Sequence, residues 1–532
     1  MRGTRRPIPR GIDRRALLTG GLAAGLSLCT PGIVPALAQF KANPFSLGVA
    51  SGEPASDGFV LWTRIAPEPF AFRGGMNKLP VDVAWEIATD EAMRQIVRSG
   101  TAVARVEVAH SIHVEVDGLA PARDYFYRFR AGGIESPVGR ARTLPAAGSE
   151  VASLRFAAAG CQSWEGGYYT AWRRIAEENF DFVCHYGDYI YEAAYRATWP
   201  DGQPVARTMP RDFPFCLTAV DYRRRYTLYK SDPDLQAAHA SCPFLPSFDD
   251  HEVLNNWAGD RDPKDTPPQD FLFRRAAAFQ AWYEHMPVRR STVPRGPDML
   301  AYRNFQFGNL ANIAVLDTRQ YRSKQPCGDG IKANCVEADE PARTMLGGPQ
   351  ERWLGETLRG AATWLVLAQQ VVFSRLDYGA FAWSRSKEPG TLNLDSWDGA
   401  TAARERVLRL LRDNRVANPV VLTGDAHMGM AFEVKEDWNE PGSRCNAVEF
   451  LAPSISSNGD GQQIVLNNDA ILARNPHLRH LGNERGYVRH VVTPRQWHAD
   501  YRALERVSSA GAPVLTRKSF VVEADKPGLV AA

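Results

Sequence analysis

A β-α-β unit near residues 154–192 constrains the fold of this chain more than any other stretch. An apolar run ends at Gly160 and Cys161, a helical segment follows, and a second apolar run ends at Asp188 and Tyr191. Both strands of such a unit are parallel, so their carboxyl ends lie at one edge of the sheet, where open α/β sheets build their sites. We therefore predict that Cys161, Asp188 and Tyr191 lie close together.

These side chains predict a metal site when they are taken together with two later stretches. A lone Cys at a strand end is more often a small buried hydrophobe, and a Gly-Asp pair often forms a turn. A thiolate, a carboxylate and a phenolate, however, repel one another strongly unless a cation lies between them. The runs SFDDHE at 247–252 and VVLTGDAH at 420–427 place similar side chains directly after apolar runs. Three such strand ends favour a metal.

Residues 1–38 have the pattern of a twin-arginine signal peptide. Arg14 and Arg15 precede an apolar, glycine-rich stretch, and Ala-Leu-Ala at 36–38 offers a cleavage site. An ordinary secretory signal or a membrane anchor is the alternative, but Pro and Gly interrupt the stretch too often for a stable span. We predict export by the twin-arginine machinery to the periplasm or the medium, with no transmembrane segment in the mature chain.

The charge of the mature chain argues against a nucleic-acid partner. The segment 1–38 holds six Arg and one Asp, so its removal changes the formal net charge from +3 to about −2. The hydrophobic fraction of 44% and the charged fraction of 23% are ordinary for a globular protein. The 494 residues that remain favour two domains over one.

The pattern of elements predicts an all-β front followed by an α/β layered part. Short strand candidates separated by turn signals predict a fibronectin- or immunoglobulin-like sandwich at 40–146, and the segment ending at Tyr125 resembles a tyrosine corner. Alternating helices and strands predict the catalytic domain at 150–515. We interpret residues 516–532 as a C-terminal tail.

Seven cysteines remain once Cys29 leaves with the signal peptide. Cys327 and Cys335 bracket a short polar loop and can pair outside the cytoplasm, although spacing alone does not fix disulfide connectivity. Cys161 is better assigned to a metal. A disulfide framework that holds the whole fold is not expected at this length.

The predicted constellation suits two-metal phosphoryl chemistry. Two cations roughly 3.5 to 4 Å apart can clamp a phosphoryl group and generate hydroxide from bound water. Asp188 can bridge them, since each carboxylate oxygen can hold one ion. Asp250 can bind metal while His251 beside it donates a proton. Asp425 and His427, two apart in an extended segment, point to the same side and close the metal shell.

The motifs, in this order, resemble the PhoD-type alkaline phosphatases of the calcineurin-like metallophosphoesterase superfamily. The resemblance runs from about residue 40 to beyond residue 450, and it implies a metallophosphoesterase domain behind a β-sandwich. The runs that carry it are FSLGVASGEPASDGFVLWTRIAP, AGCQSWEGGYYTAW, HYGDYIYE, YKSDPDLQAAHA, SFDDHEVLNNWAGD, VLDTRQYRS and LTGDAHMGM.

The resemblance implies two kinds of metal. A ferric ion would be held by Cys161, Asp188, Tyr191 and His427. One or more calcium ions would be held by Asp188, Asp250 and Asp425. The chemistry agrees in part, because thiolate and phenolate favour a transition metal whereas an all-oxygen shell favours a hard ion such as calcium or another divalent metal.

Six further residues have both a functional and a structural interpretation. Arg319 and Arg322 can hold substrate oxygens, but an Arg after a strand is more often in a structural ion pair. The Asn pair at 255–256 can give an amide oxygen to calcium or form a surface turn. The Gln pair at 369–370 can orient water or satisfy backbone groups.

We expect an exported, metal-dependent phosphoesterase that hydrolyses phosphomonoesters, phosphodiesters or both and scavenges phosphate. A metal-activated hydroxide or oxide would attack in line, with His251 close to the leaving oxygen. A phospholipase D-type phosphodiesterase is the enzymatic alternative, favoured by a wider or more apolar cleft. A secreted binding protein with a structural metal cluster is the alternative from another class.

Replacing Arg14 and Arg15 together with lysine should leave the precursor in the cytoplasm, because the export route for folded proteins depends on that pair. The unaltered protein should yield an exported chain that begins at Gln39, read by N-terminal sequencing. Normal export of the lysine variant would show that a different route carries the chain.

Overall fold

The computed structural model describes residues 40–194, 198, 205–360 and 362–532. The predicted signal peptide at 1–38 lies outside these residues, so the export prediction stays a prediction. Contacts between α-carbons gather Gln39–Ala532 into one compact unit. Among the described residues, none of the helices has the length and apolar character needed to cross a membrane.

The front of the chain is built from strands alone, apart from short 3₁₀ turns. These strands are β1 (Val49–Ala55), β2 (Gly58–Arg64), β3 (Val81–Ala88), β4 (Ile96–Ala104), β5 (Ser111–Val116), β6 (Asp124–Ala131), β7 (Ile134–Glu135) and β8 (Gly139–Arg142). Strand β2 pairs with β1 and β5, whereas β3 pairs with β4 and β6, so two antiparallel layers form.

Strands and helices alternate in the remainder. The strands are β9 (Leu154–Ala159), β10 (Phe182–His185), β11 (Phe244–Pro246), β12 (Arg303–Phe307), β13 (Ala311–Val315), β14 (Ile331–Lys332), β15 (Trp364–Ala368), β16 (Leu392–Asn393), β17 (Pro419–Thr423), β18 (Gly429–Lys435), β19 (Cys445–Leu451), β20 (Gly461–Gln462), β21 (Leu478–Val492), β22 (Gln496–Leu504), β23 (Val514–Glu523) and β24 (Lys526–Ala531). The helices are α1 (Thr170–Glu177), α2 (Ala219–Lys230), α3 (Pro233–Ser241), α4 (Pro268–His285), α5 (Gly347–Thr357), α6 (Thr401–Asp413) and α7 (Asn468–Arg474).

Two sets of parallel strands form the centre of the α/β part. Strands β9, β10 and β11 are parallel neighbours, and so are β13, β15, β17 and β19. Strand β21 pairs with β9 and with β18, which joins the two sets into one continuous sheet. The carboxyl ends of the strands within each set therefore share an edge.

Side chains on these strands alternate between an inner and an outer layer. In β9, Phe156 belongs to a buried cluster shared by both strand sets, whereas Ala157 belongs to a cluster shared with α1, α3 and α4. In β15, Val366 lies in the inner cluster and Leu365 in a third cluster with α5 and α6. This period of two produces four layers, with helices outside both halves of the sheet.

The predicted fold class is confirmed, because an α/β domain follows an all-β front. Strand β1 also pairs in parallel with β11, at Gly52 and Phe244, so the front continues directly into the α/β sheet. The residues 516–532, expected as a C-terminal tail, contain most of β23 and all of β24. Buried Phe520 and Val522 alternate with less buried neighbours there, a strand pattern that the expectation overlooked.

The cysteines follow the expectation from sequence. Cys327 and Cys335 form a disulfide. The other cysteines of the described chain are free and buried: Cys161, Cys184, Cys216, Cys242 and Cys445.

The tyrosine corner predicted at Tyr125 is present, since its hydroxyl accepts a hydrogen bond of 3.0 Å from the Ala120 backbone N–H. Tyr125→Phe should lower the free energy of unfolding by about 1 kcal/mol, because the Ala120 N–H loses its partner. Chemical denaturation followed by fluorescence measures the change, with Tyr168→Phe as a control because Tyr168 is exposed. An unchanged midpoint would mean that this hydrogen bond contributes nothing.

Candidate active site

The predicted site residues converge at the carboxyl ends of the parallel strands. Cys161 follows β9, Asp188 follows β10, Asp250 follows β11 and Asp425 follows β17. Three groups of side chains have ligand atoms within 4.8 Å of one another: Cys161, Asp188 and His427; Asp188, Asp250 and His251; and Asp249, Asp250 and Asp425. Because Asp188 and Asp250 are shared, the groups are contiguous, as a two-metal site requires.

The backbone at these strand ends adopts the left-handed conformation. The φ angles are 51° at Cys161, 54° at Asp188, 62° at Asp425 and 58° at His427. This region is unfavourable for residues with a β-carbon and persists only where the surroundings impose it, most often at functional sites. Four such residues in one place indicate a site that is held in position by its packing.

Tyr186 fills the space beneath the site and explains the two glycines that precede ligand-type residues. A β-carbon on Gly160 would lie 2.5 Å from the Tyr186 ring, and one on Gly424 would lie 2.1 Å from it. The Tyr186 hydroxyl donates to the Pro453 carbonyl oxygen at 3.0 Å. The ring therefore packs between the two strand ends, which fixes the approach of β9 to β17.

Tyr191 lies at the centre of the first group. Its hydroxyl oxygen is 2.9 Å from Asp188 Oδ2 and 3.0 Å from His427 Nε2. Ser457 Oγ lies 2.6 Å from the same oxygen, and Asn458 Nδ2 lies 2.9 Å from His427 Nδ1. Sulfur, phenolic oxygen, carboxylate and imidazole thus face one another as transition-metal ligands do. Ser457 and Asn458 were not found from sequence, because they follow an unremarkable strand.

The carboxylate side of the site is a cluster of buried or half-buried aspartates, which are Asp188, Asp249, Asp250 and Asp425. Burial raises the pKa of Asp188 to about 7 and raises the pKa of Asp425 well above its usual value. Burial would also raise the pKa of Asp250, but His251 and Arg319 hold it below its usual range. Asp249 Oδ2 and Asp250 Oδ1 are buried and have no hydrogen-bond partner among the described residues. Orphaned carboxylate oxygens fit a hard cation.

Arg319 lies behind these carboxylates and not in the cleft. It is fully buried, with Nε 2.5 Å from Asp249 Oδ1 and Nη1 2.9 Å from Asp395 Oδ2. Its Nη2 lies 3.9 Å from both Asp250 and Asp425. These contacts favour the structural ion pair over the role of holding substrate, which stays a prediction; Arg319 Nη2 has no hydrogen-bond partner among the described residues. Arg322 is likewise buried and pairs with Asp395.

The Gln pair at 369–370 takes the structural interpretation, whereas Asn256 contacts the site. Gln370 Oε1 accepts from the Thr318 backbone N–H at 3.1 Å, and its Nε2 donates to Ser247 Oγ at 2.7 Å. Gln369 Nε2 donates to the Val371 carbonyl oxygen at 2.6 Å. The side-chain amides of both Gln residues are therefore hydrogen-bonded to protein groups. The Asn256 backbone N–H donates to Asp250 Oδ2 at 2.7 Å, so this Asn contacts the site.

His251 is held by a residue that sequence reasoning missed. Its Nδ1 lies 2.6 Å from Glu192 Oε2, and its ring lies 4.2 Å from the Tyr191 ring, centroid to centroid. Burial would lower the pKa of His251, but Asp250, Glu192 and Asp188 raise it well above its usual value. Glu192 also accepts from the Asn255 backbone N–H at 3.0 Å. The signal was available, since Glu192 ends the HYGDYIYE run.

The other histidine of the site has the opposite character. Burial, reinforced by Arg485 and His251, lowers the pKa of His427 to about 3. The lowered pKa favours neutral His427 with a nitrogen lone pair, whereas the raised pKa favours the protonated form of His251. One histidine suits a metal ligand and the other a proton donor.

A four-layered α/β fold, with contiguous carboxylate, imidazole, phenol and thiol groups at the strand ends, defines a metallophosphoesterase. The sequence matches the PhoD-like phosphatase model over residues 156–501, and the model for the N-terminal domain of PhoD-like phosphatases over residues 32–145. The chain belongs to the PhoD-like phosphatase family.

Two relatives agree with this assignment. Alkaline phosphatase D of Bacillus subtilis (strain 168) is 46% identical over 531 residues, which cover 97% of this chain and 89% of the relative. A solved structure titled "Structure of PhoD" superposes with a TM-score of 0.88 at 46% identity, covering 93% of each chain. The resemblance stated from the motifs is thereby confirmed.

Glu192→Gln should remove much of the charge that keeps His251 protonated. We expect hydrolysis of an alkyl phosphate to fall about 10-fold or more, whereas a p-nitrophenyl ester should lose about threefold or less, because p-nitrophenolate leaves without a proton. The alkaline limb of kcat should also move to lower pH, since a lowered His251 pKa brings loss of the proton to lower pH.

Glu150→Gln, at an exposed position, is the matched control and should behave like the unaltered protein. Equal losses on both esters, with an unmoved pH profile, would show that Glu192 acts on folding and not through His251.

Proposed function

We propose that the protein is an exported, metal-dependent alkaline phosphatase with phosphodiesterase capacity, which releases phosphate from small-molecule or polymeric esters. The observation that carries this proposal is the contiguity of the ligand groups through Asp188 and Asp250, with His251 beside them and held by Glu192. A protein that held metal only for structure would not need that proton donor. The relative's name, alkaline phosphatase D, supports the same activity.

The donor chemistry supports two kinds of cation. Cys161, Tyr191, Asp188 and His427 suit a transition metal, which we propose to be ferric iron. Asp188, Asp250 and Asp425 suit a hard cation, which we propose to be calcium, and Asp249 lies close enough to assist. When bound, such cations offset the charge of phosphoryl oxygens and lower the pKa of a bound water.

The chain's own residues account for the fate of the leaving group. Hydrolysis forms a bond from the oxygen of water to phosphorus and breaks the bond from phosphorus to the ester oxygen, which keeps the electron pair. His251 then donates the proton from Nε2, while its Nδ1–H stays hydrogen-bonded to Glu192 Oε2. Arg319 stays behind the carboxylates, where its buried positive charge adds to that of His251 in lowering the pKa of Asp250. No serine nucleophile is needed.

We propose a periplasmic or secreted location, reached through the twin-arginine machinery. The disulfide between Cys327 and Cys335 supports this location, because disulfides persist mainly outside the reducing cytoplasm. The natural substrate would then be an ester available outside the cytoplasm, which fits a role in phosphate scavenging.

Removal of calcium should abolish turnover reversibly. Purified protein is assayed with p-nitrophenyl phosphate and bis-p-nitrophenyl phosphate before and after a calcium-selective chelator, and again after calcium is returned. Iron, measured by elemental analysis, should stay bound because its ligands include sulfur and phenolate. Turnover that persists after verified calcium removal would reject the assignment of Asp188, Asp250 and Asp425 to a calcium site.

Cys161→Ser tests the proposed iron site. A serine hydroxyl ionises far less readily than a thiol, so iron should fall below one per chain and the visible charge-transfer absorption should weaken or shift. Tyr191→Phe, made in parallel, should also change the colour. Cys445→Ser is the control, since Cys445 is free and buried elsewhere. Unchanged iron content and colour in the Cys161 variant would show that Cys161 is a packed core residue and not a metal ligand.

A further inference from the structure

A short disulfide-closed loop contacts the carboxylate side of the site. Cys327 and Cys335 are joined across a sequence separation of 8 residues, and both are half-buried. Asp329, inside the loop, accepts a hydrogen bond of 2.7 Å through Oδ2 from Asn256 Nδ2. The backbone N–H of Asn256 in turn donates to Asp250 Oδ2 at 2.7 Å. Two hydrogen bonds thus connect the loop to Asp250.

The contact with Asp329 also sets the orientation of the Asn256 amide. A carboxylate accepts only from the NH₂ end of an amide, so Nδ2 faces Asp329. This contact leaves Oδ1 as the end of the amide that can bind a cation. In a residue whose backbone N–H contacts Asp250, such an amide oxygen is a ligand of the type that calcium prefers.

The loop backbone is strained in a way that needs support. Asp329 has φ 65° and ψ 174°, a region that essentially only glycine occupies. Its neighbours Cys327, Gly328 and Gly330 also have positive φ angles. The disulfide, the pairing of β14 with β16 and a 3.0 Å bond from the Leu394 N–H to the Gly330 carbonyl oxygen hold this geometry.

A second path starts just before the loop. Gln325 Nε2 donates to the Asn256 carbonyl oxygen at 2.8 Å and to Asp395 Oδ1 at 2.5 Å. Asp395 pairs with Arg319, which lies behind Asp250 and Asp425. The segment that leads into the disulfide therefore reaches the same carboxylates from another direction.

We propose that the Cys327–Cys335 loop positions Asn256, so that the carboxylate side of the site binds calcium tightly only once the disulfide has formed. This inference rests on the proposed function, because it takes Asp250 as part of a cation site. In the dithiol form the strained Asp329 relaxes, and Asn256 loses the acceptor that orients it. Among the described residues, no hydrogen bond or ion pair joins Cys161 or His427 to the loop, so the iron content should not depend on the disulfide.

The redox step is an ordinary thiol–disulfide exchange. Cys327 and Cys335 lose two protons and two electrons as the sulfur–sulfur bond forms. A disulfide of an extracytoplasmic thiol oxidoreductase accepts them and becomes two thiols. A chain that folds in the reducing cytoplasm and is exported folded would gain this bond only after export. Calcium affinity would therefore rise in the compartment where substrate is found.

The test compares the metal-loaded wild type with Cys327→Ser/Cys335→Ser and with Asp329→Asn. Calcium binding is measured by calorimetry, together with the calcium concentration that gives half-maximal hydrolysis and the iron content. We expect both variants to need about 10-fold more calcium, while iron stays at the wild-type level. Combining all three substitutions should add less than about twofold, because residues in one network act non-additively.

Cys445→Ser is the matched control and should bind calcium like the wild type. Opening the disulfide of the wild type with a phosphine reductant, verified by mass spectrometry, gives the same comparison without a substitution. Calcium affinity within twofold of the wild type in the double Ser variant would overturn this inference alone. A wild type that binds no calcium would overturn the proposed function and this inference with it.

Discussion

Mutual repulsion among buried carboxyl groups is the constraint on which the rest of the structure depends. Asp188, Asp249, Asp250 and Asp425 lie within a few ångströms of one another at the strand ends. Arg319 opposes them with a buried positive charge, and their charge raises the pKa of His251. The carboxyl groups outnumber these two groups, so protons or bound cations must offset part of their charge.

The fold maintains this unfavourable arrangement because closely packed neighbours fix the positions of the strand ends. Left-handed residues at Cys161, Asp188 and Asp425 would relax in an isolated loop. Here the Tyr186 ring occupies the space beside Gly160 and Gly424, so neither strand end can shift without a collision. The packing of the four layers thus offsets the unfavourable free energy of the site.

The ligand-type residues could be predicted from sequence because each follows an apolar run, and parallel strands bring such ends together by geometry alone. Their supporting partners could not be predicted in the same way. Ser457 and Asn458 reach Tyr191 and His427 from a segment far along the chain. The burial of Arg319 depends on Asp395, which no local pattern links to it. The strands at the C-terminus were missed because their alternation is short and interrupted by charged residues.

The two histidines show why residue type alone does not assign a role. His251 and His427 both follow carboxylates in motifs of similar form, and both lie beside Tyr191. Glu192 and Asp250 surround the first with negative charge, whereas Arg485 lies near the second. The pKa of the same ring is therefore raised in one place and lowered in the other. The proposed reaction, in which one histidine binds a cation and the other protonates the leaving oxygen, needs that difference, and it arises from neighbours that are distant in sequence.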